Sequence, residues 1–156
     1  MIIWLASYPK SGNTWIRLFI NSLLFTPNNI IDINKIRIEQ FPSRKYFFEI
    51  TNNVDDVSEF MKNCNKAQSK LNLDKKLKFF KTHNAFWRFG AYSFTDAFNT
   101  LGIIHIVRDP RNVITSIKNH YNYESYDMAL KFIKDEKNMI GVKGSEKEMD
   151  LPTLIS

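Results

Sequence analysis

A short apolar run, residues 2–6 (IIWLA), passes directly into S-Y-P-K-S-G-N-T-W-I-R at positions 7–17, and no other stretch restricts the fold as strongly. Continuous apolar, β-favouring residues of this kind read as a strand buried on both faces of a parallel sheet. The proline, serine and glycine that follow demand a tight turn. Trp15, Leu18, Phe19, Ser22 and Leu23 then recur at helical spacing, which predicts a helix packing through that face and ending near Pro27, Asn28 and Asn29. A strand, a tight loop and a helix start in succession make a place to hold an anion, because the first helical turn exposes unpaired N–H groups and the positive end of the peptide dipole. Gly12 lets that backbone approach a tetrahedral oxyanion without a side chain in the way, Lys10 adds a mobile charge, and Thr14 adds a hydroxyl donor. The pattern G-x-x-x-x-G-K-[ST] is not met, since its lysine follows the second glycine whereas Lys10 precedes Gly12.

Residues 103–121, IIHIVRDPRNVITSIKNHY, repeat the arrangement. A strand over 103–107 breaks at Arg108, Asp109 and Pro110, and Val113, Ile114, Ile117 and Tyr121 mark the helix that follows. Arg108, Arg111 and Ser116 gather around its start as a second candidate anion site; the planar fork of arginine binds phosphate oxygens through two bonds at once. A third feature is Lys81-Thr82-His83, at the carboxyl end of the strand predicted over 77–82. Histidine suits the removal of a hydroxyl proton near neutral pH. Taken singly, a surface arginine, a helix serine bonding its own backbone and a strand-end histidine are ordinary structure; their occurrence in this order is the signal. His105 within a buried strand and His120 late on a helix read as structural, and Asp109 as a turn residue and helix cap before Pro110.

The first loop resembles the phosphosulfate-binding loop of the PAPS-dependent sulfotransferases, Y-P-K-S-G-T-T-W: seven of the eight residues stand unchanged, with Asn13 at the first threonine. Arg108 and Ser116 keep the eight-position interval of the family segment that grips the nucleotide's 3′-phosphate, and K-T-H resembles the segment carrying the family's histidine base. The resemblance implies an enzyme that transfers a sulfuryl group from PAPS to a hydroxyl or amine acceptor, with Lys10 and His83 catalytic and no metal. It further implies that Lys10, Ser11, Gly12, Asn13 and Thr14 hold the phosphosulfate end, that Trp15 stacks on adenine, and that Arg108 and Ser116 hold the 3′-phosphate. The amide of Asn13 is expected to donate where the family has a threonine hydroxyl. The fold implied is a P-loop-like, three-layer α/β/α with a central parallel sheet. A late family segment, R-K-G-x-x-G-D-W, is not matched: Val142, Lys143, Gly144 and Ser145 share only a lysine and a glycine with it. The expectation is therefore a fold incomplete at its C-terminal end and a nucleotide site open on one side. A truncated, catalytically weak or inactive PAP- or PAPS-binding module stands as the alternative. The acceptor, a small molecule or a carbohydrate, is not legible, nor is the oligomeric state.

The rest of the chain fits one domain over residues 1–136, with a polar tail over 137–156 expected to lie loose. Strands alternating with helices predict the doubly wound α/β class. A formal charge of +6 favours anionic partners, but the cations are scattered and no nucleic-acid-binding motif is present, so no nucleic-acid partner is expected. Cys64 is the single cysteine, which leaves no disulfide and no thiolate cluster, and no apolar run has membrane-spanning length. These features predict a soluble, cytoplasmic protein without a membrane partner. Between residues 30 and 76 the pattern weakens. Phe41, Tyr46, Phe47 and Phe48 suit either core or an acceptor pocket, and a helix is expected from about Asp55 carrying Val57, Phe60, Met61 and Cys64. A short helix over 94–101 closed by Gly102, and a last helix from Ser125 with Tyr126, Ala129, Leu130 and Ile133 on one face, complete the prediction.

Overall fold

The computed structural model describes residues 1–27, 31–53, 56–136, 138–140 and 153–155. Its centre is strand β1, Ile2–Ser7, where Trp4 and Leu5 have no exposed surface. Strands β2 (Glu39–Gln40), β3 (Lys78–Thr82) and β6 (Thr100–Ile106) join it in the order β2-β3-β1-β6, and every pairing is parallel. Helices lie on either side of this sheet, so the class is α/β with a central parallel sheet, as the alternating pattern predicts. The register decides where function sits. Ala6 lies opposite Thr82 and Ser7 opposite Ile106, so the three strands end level and the residues that follow each of them emerge at one edge. In an open parallel sheet that carboxyl edge is where ligands bind.

One core cluster locks this register from beneath. Trp4, Phe41, Phe80 and Phe94 pack as an aromatic group, with Trp4 ring centroids 5.6 Å from Phe41 and 5.2 Å from Phe94. The indole N–H of Trp4 donates to Thr100 Oγ1 at 2.8 Å, so the ring is buried without stranding its one polar atom. Phe41 and Phe47 are fully buried, which settles the aromatic cluster of the weak region as core, while Phe48 faces out. Helix α2 (Val57–Leu71) supplies Phe60, Cys64, Ala67 and Gln68 to the same side, capped by Asp56, whose carboxylate accepts from the N–H groups of Ser58 and Glu59. Burial pushes the Cys64 thiol well above its ordinary pKa, as suits an inert core cysteine. A second cluster, Val113, Ile117 and Ala129, joins α3 (Pro110–His120) to α4 (Tyr126–Lys134), and Tyr8 from the end of β1 packs into it.

Four expectations need correction. The face of α1 (Asn13–Phe25) predicted from Trp15, Leu18, Phe19, Ser22 and Leu23 packs only through Leu18 and Ser22: Trp15, Phe19 and Leu23 are 75%, 61% and 58% exposed, and Asn13 and Asn21 are the other buried positions. The physical reason is a chain segment lying along the helix with free backbone groups. Asn21 accepts from the N–H of Arg37 at 2.7 Å and Arg17 donates to the Ile38 carbonyl at 2.9 Å, so polar side chains take the inner face. No helix forms over 94–101; instead Asp96 accepts from the N–H and side-chain amide of Asn99, making a turn that launches β6 at Thr100. Strand β6 is not buried. It is an outer strand with β1 as its neighbour, and Leu101, Ile103 and Ile104 are 59%, 49% and 41% exposed. The expected loose tail is also ordered in part. Met139–Ile140 (β7) pairs antiparallel with Thr153–Leu154 (β8), and Ile155 is buried. Strands β4 (Arg88–Phe89) and β5 (Tyr92–Ser93) form a hairpin turning at Gly90, which takes the left-handed φ of 59°. Val142, Lys143, Gly144 and Ser145 lie outside the described residues, as do Asn28, Asn29 and Asp55.

Candidate active site

Three chain segments reach the sheet's carboxyl edge together: the loop between β1 and α1, the residue after β3, and the junction of β6 with α3. The loop turns through two left-handed residues, Lys10 at φ 68° and Gly12 at φ 102°. A lysine in that region carries backbone strain of ~1–3 kcal/mol, which persists where the surroundings enforce it. Gly12 is also the N-cap of α1, with no side chain bonded across the helix start. Among the described residues none accepts from the N–H groups of Gly12, Asn13 or Thr14, so the positive end of α1 stands open.

Arg108 ties the second motif to the first. Its Nη1 donates to the carbonyl of Lys10 at 3.0 Å, across 98 positions of sequence. Lys10, Gly12, Asn13, Thr14, Trp15, Arg108, Ser116 and His83 line one cavity of about 450 Å³. The sequence-predicted residues are thus brought together, with two qualifications of geometry. Ser11 is buried and does not line the cavity, and its N–H turns back to the Tyr8 carbonyl at 3.3 Å to close the turn. Asn13 touches the cavity but its side-chain amide points inward, donating to Leu5 O at 2.9 Å and to Ser7 Oγ at 3.1 Å. Arg111 stays outside, exposed and paired with Asp109 at 2.6 Å, while Asp109 caps α3 through the N–H of Arg111 at 2.9 Å.

His83 sits where the strand ends meet. Its Nδ1 is 2.8 Å from the backbone carbonyl of Ser7 and 3.2 Å from Ser7 Oγ. A carbonyl oxygen only accepts, so Nδ1 carries the proton and Nε2 bears the free lone pair. Desolvation by burial, followed by the positive charge of Lys81, pushes the His83 pKa down to about 4; Arg17 and Lys10 add to the fall and the Ser7 carbonyl opposes it. At neutral pH the ring is an uncharged base. Tyr8, one residue beyond Ser7, is pushed up to about 12 by burial and by the neighbouring Tyr121 and Tyr123, so it stays a phenol.

Sequence reasoning missed four lining residues, Pro9, His120, Tyr121 and Ile140. Spacing carried the signal: His120 follows Ser116 by four positions, one helical turn along the same face of α3. His105, read as a core residue, is exposed on β6 and lines a second cavity of about 540 Å³ that shares His83 with the first.

The sequence model of the sulfotransferase domain matches residues 2–143, most of the 156-residue chain. The chain belongs to the sulfotransferase domain family. No curated protein and no solved structure is significantly similar to it. The match covers all three segments of this sulfotransferase-family site, from Ser7 through Ser116 to His120. Membership implies a transferase, and families of this kind use PAPS as donor. Among the described residues no group of His, Cys, Asp and Glu side chains could hold a metal ion, and no helix is long and apolar enough to cross a membrane.

Proposed function

We propose that this protein transfers a sulfuryl group from PAPS to an acceptor hydroxyl or amine. The observation that carries the reading is the single cavity in which Lys10, Thr14, Arg108 and Ser116 stand with a neutral His83. The donor's phosphosulfate end meets Lys10, Thr14 and the open N–H groups of α1, while Arg108 and Ser116 take the 3′-phosphate and Trp15 offers an exposed face to adenine. Nucleophilic attack forms the bond from acceptor oxygen or nitrogen to sulfur and breaks the bond from sulfur to the phosphate's bridging oxygen. Lys10 and the loop N–H groups stabilise the negative charge growing on that oxygen. His83 takes the acceptor's proton on Nε2, and PAP leaves.

The acceptor enters from the second cavity, which shares His83 with the first. Ala6, Tyr8, Ala85, Phe86, Ile103 and Ile155 make that wall mostly apolar, and no Lys, Arg, Asp or Glu is among its described lining residues. This composition favours an uncharged alcohol or phenol over an anionic polysaccharide. Calorimetric titration with PAP, run beside a sulfate-transfer assay with PAPS and simple phenols and alcohols, tests the reading. Binding of PAP with transfer supports it. Binding without transfer to any acceptor leaves a nucleotide-binding module, and failure to bind PAP removes the reading altogether.

A further inference from the structure

His120 is the last residue of α3, exposed, and one helical turn beyond Ser116, so both side chains reach the cavity that Lys10 and Arg108 also line. Among the described residues its ring makes no hydrogen bond, and its aromatic neighbour is Tyr121, edge-on with centroids 4.8 Å apart. The groups that face it come from every element around the cavity: Lys10 from the loop after β1, Arg108 from the end of β6, His83 from the end of β3 and Tyr121 from beside it. No Asp or Glu is among the described lining residues. His83 is held down to about 4, and the Tyr121 phenol is raised by burial and then by Tyr123, so neither changes charge between pH 6 and pH 8. Lys118, on the same helix, turns instead to the Tyr126 ring at 5.6 Å.

The charges in this cavity do not balance those of the nucleotide. Lys10 and Arg108 bring two fixed positive charges, and the open N–H groups of α1 add the partial charge of a helix start. Each phosphate of PAP carries about −1.5 to −2 near neutral pH, so its two phosphates together exceed what those groups neutralise. Histidine is the side chain that gains a proton in this pH range, and an adjacent anion favours the gain. We propose that His120 is a further nucleotide-binding residue whose imidazole takes up a proton as PAP or PAPS binds, completing the positive lining that Lys10 and Arg108 begin. The proposal rests on the reading of this cavity as the donor site. One proton passes from solvent to the ring on binding and returns to solvent on release. The nucleotide is therefore held more tightly as pH falls from 8 to 6.5, and product leaves more readily as pH rises.

The test titrates the whole chain with PAP by calorimetry, as wild type, His120→Gln and His120→Lys. Affinity is measured at pH 6.5 and pH 8. Heats at pH 7 in PIPES and in imidazole, two buffers of different ionisation enthalpy, count the protons taken up. Because His120 is exposed, neither substitution empties a packed position. The wild type is expected to take up more protons than His120→Gln. Its affinity is expected to rise about three- to tenfold more than that of His120→Gln between pH 8 and pH 6.5, within the ~30-fold that one full proton allows over that span. Titration of the phosphates is common to all three proteins and cancels. His120→Lys, a permanent cation, should keep tight binding at pH 8 and show the shallow pH dependence of His120→Gln. Equal proton uptake or equal pH dependence in wild type and His120→Gln overturns the proposal. So does weak binding in His120→Gln that His120→Lys does not restore, since the ring then acts by shape and not by charge. If the wild type binds no PAP, the donor-site reading falls and the proposal with it; if PAP binds with the expected proton uptake but no sulfuryl group is transferred, the linkage stands and only the catalytic reading fails.

Discussion

Acidifying the protein from pH 7 to pH 5 without nucleotide should cost it stability through one residue, His83. In the unfolded chain this imidazole takes a proton at its ordinary 6.5; in the fold, desolvation and then Lys81, Arg17 and Lys10 hold it down to about 4. The unfolded state therefore binds the proton first, and stability is whole above about pH 6.5 and drains away as pH falls toward 4. At ~1.36 kcal/mol per pH unit the complete loss is about 3 kcal/mol, of which about 2 kcal/mol has gone by pH 5. Against the ~5–15 kcal/mol that holds a typical domain together, this is measurable. Urea denaturation at pH 7 and pH 5 should show the wild type losing about 2 kcal/mol more than His83→Gln, whose amide can still donate to the Ser7 carbonyl but does not titrate. The exposed His105 and His120 are common to both proteins and cancel in the difference. Parallel losses in the two proteins, or a His83 ring resonance that titrates near 6.5, would show that burial does not govern this site and would remove the argument for a neutral base.

Other consequences are tested at single positions. Lys10→Ala should lower kcat by ~10²–10³-fold, the usual worth of one group stabilising a developing oxyanion, with a smaller change in acceptor KM. Trp15→Ala should weaken PAP binding by the ~1–3 kcal/mol of one lost base stack while leaving the melting temperature nearly unchanged, because the ring is 75% exposed; calorimetry and thermal denaturation separate the two effects. Phe94→Ala, which empties a fully buried position beside Trp4, Phe41, Phe86 and Trp87, should cost ~3–5 kcal/mol in denaturant unfolding and loosen Phe86 in the wall of the second cavity.

Much of the site was legible because its parts are local. The β1 run, the glycine at the helix start, Lys81-Thr82-His83 and the Arg108-to-Ser116 interval each announce themselves within a dozen residues, and a parallel sheet brings the ends of such units to one edge. What escaped depends on partners distant in sequence. The inner face of α1 is polar because the backbone near Arg37 and Ile38 needs donors and acceptors, and hydrophobic periodicity cannot report that need. The exposure of β6 follows from its place at the outside of the sheet, and an apolar run reads the same in the middle or at the margin. Asn13 resembled a tolerated substitution; only the positions of Leu5 O and Ser7 Oγ reveal that both of its amide hydrogens are spoken for.

The bond from Arg108 to the Lys10 carbonyl makes the site a product of assembly. One motif is complete within residues 7–17, but the other waits until β6 has docked beside β1 and α3 has wound after it. A nascent chain with only the first half folded holds a grip with no latch. Nucleotide binding, on this account, reports a finished domain, and saturating PAP should protect β1 and β6 against hydrogen exchange together, although about a hundred residues of chain run between them.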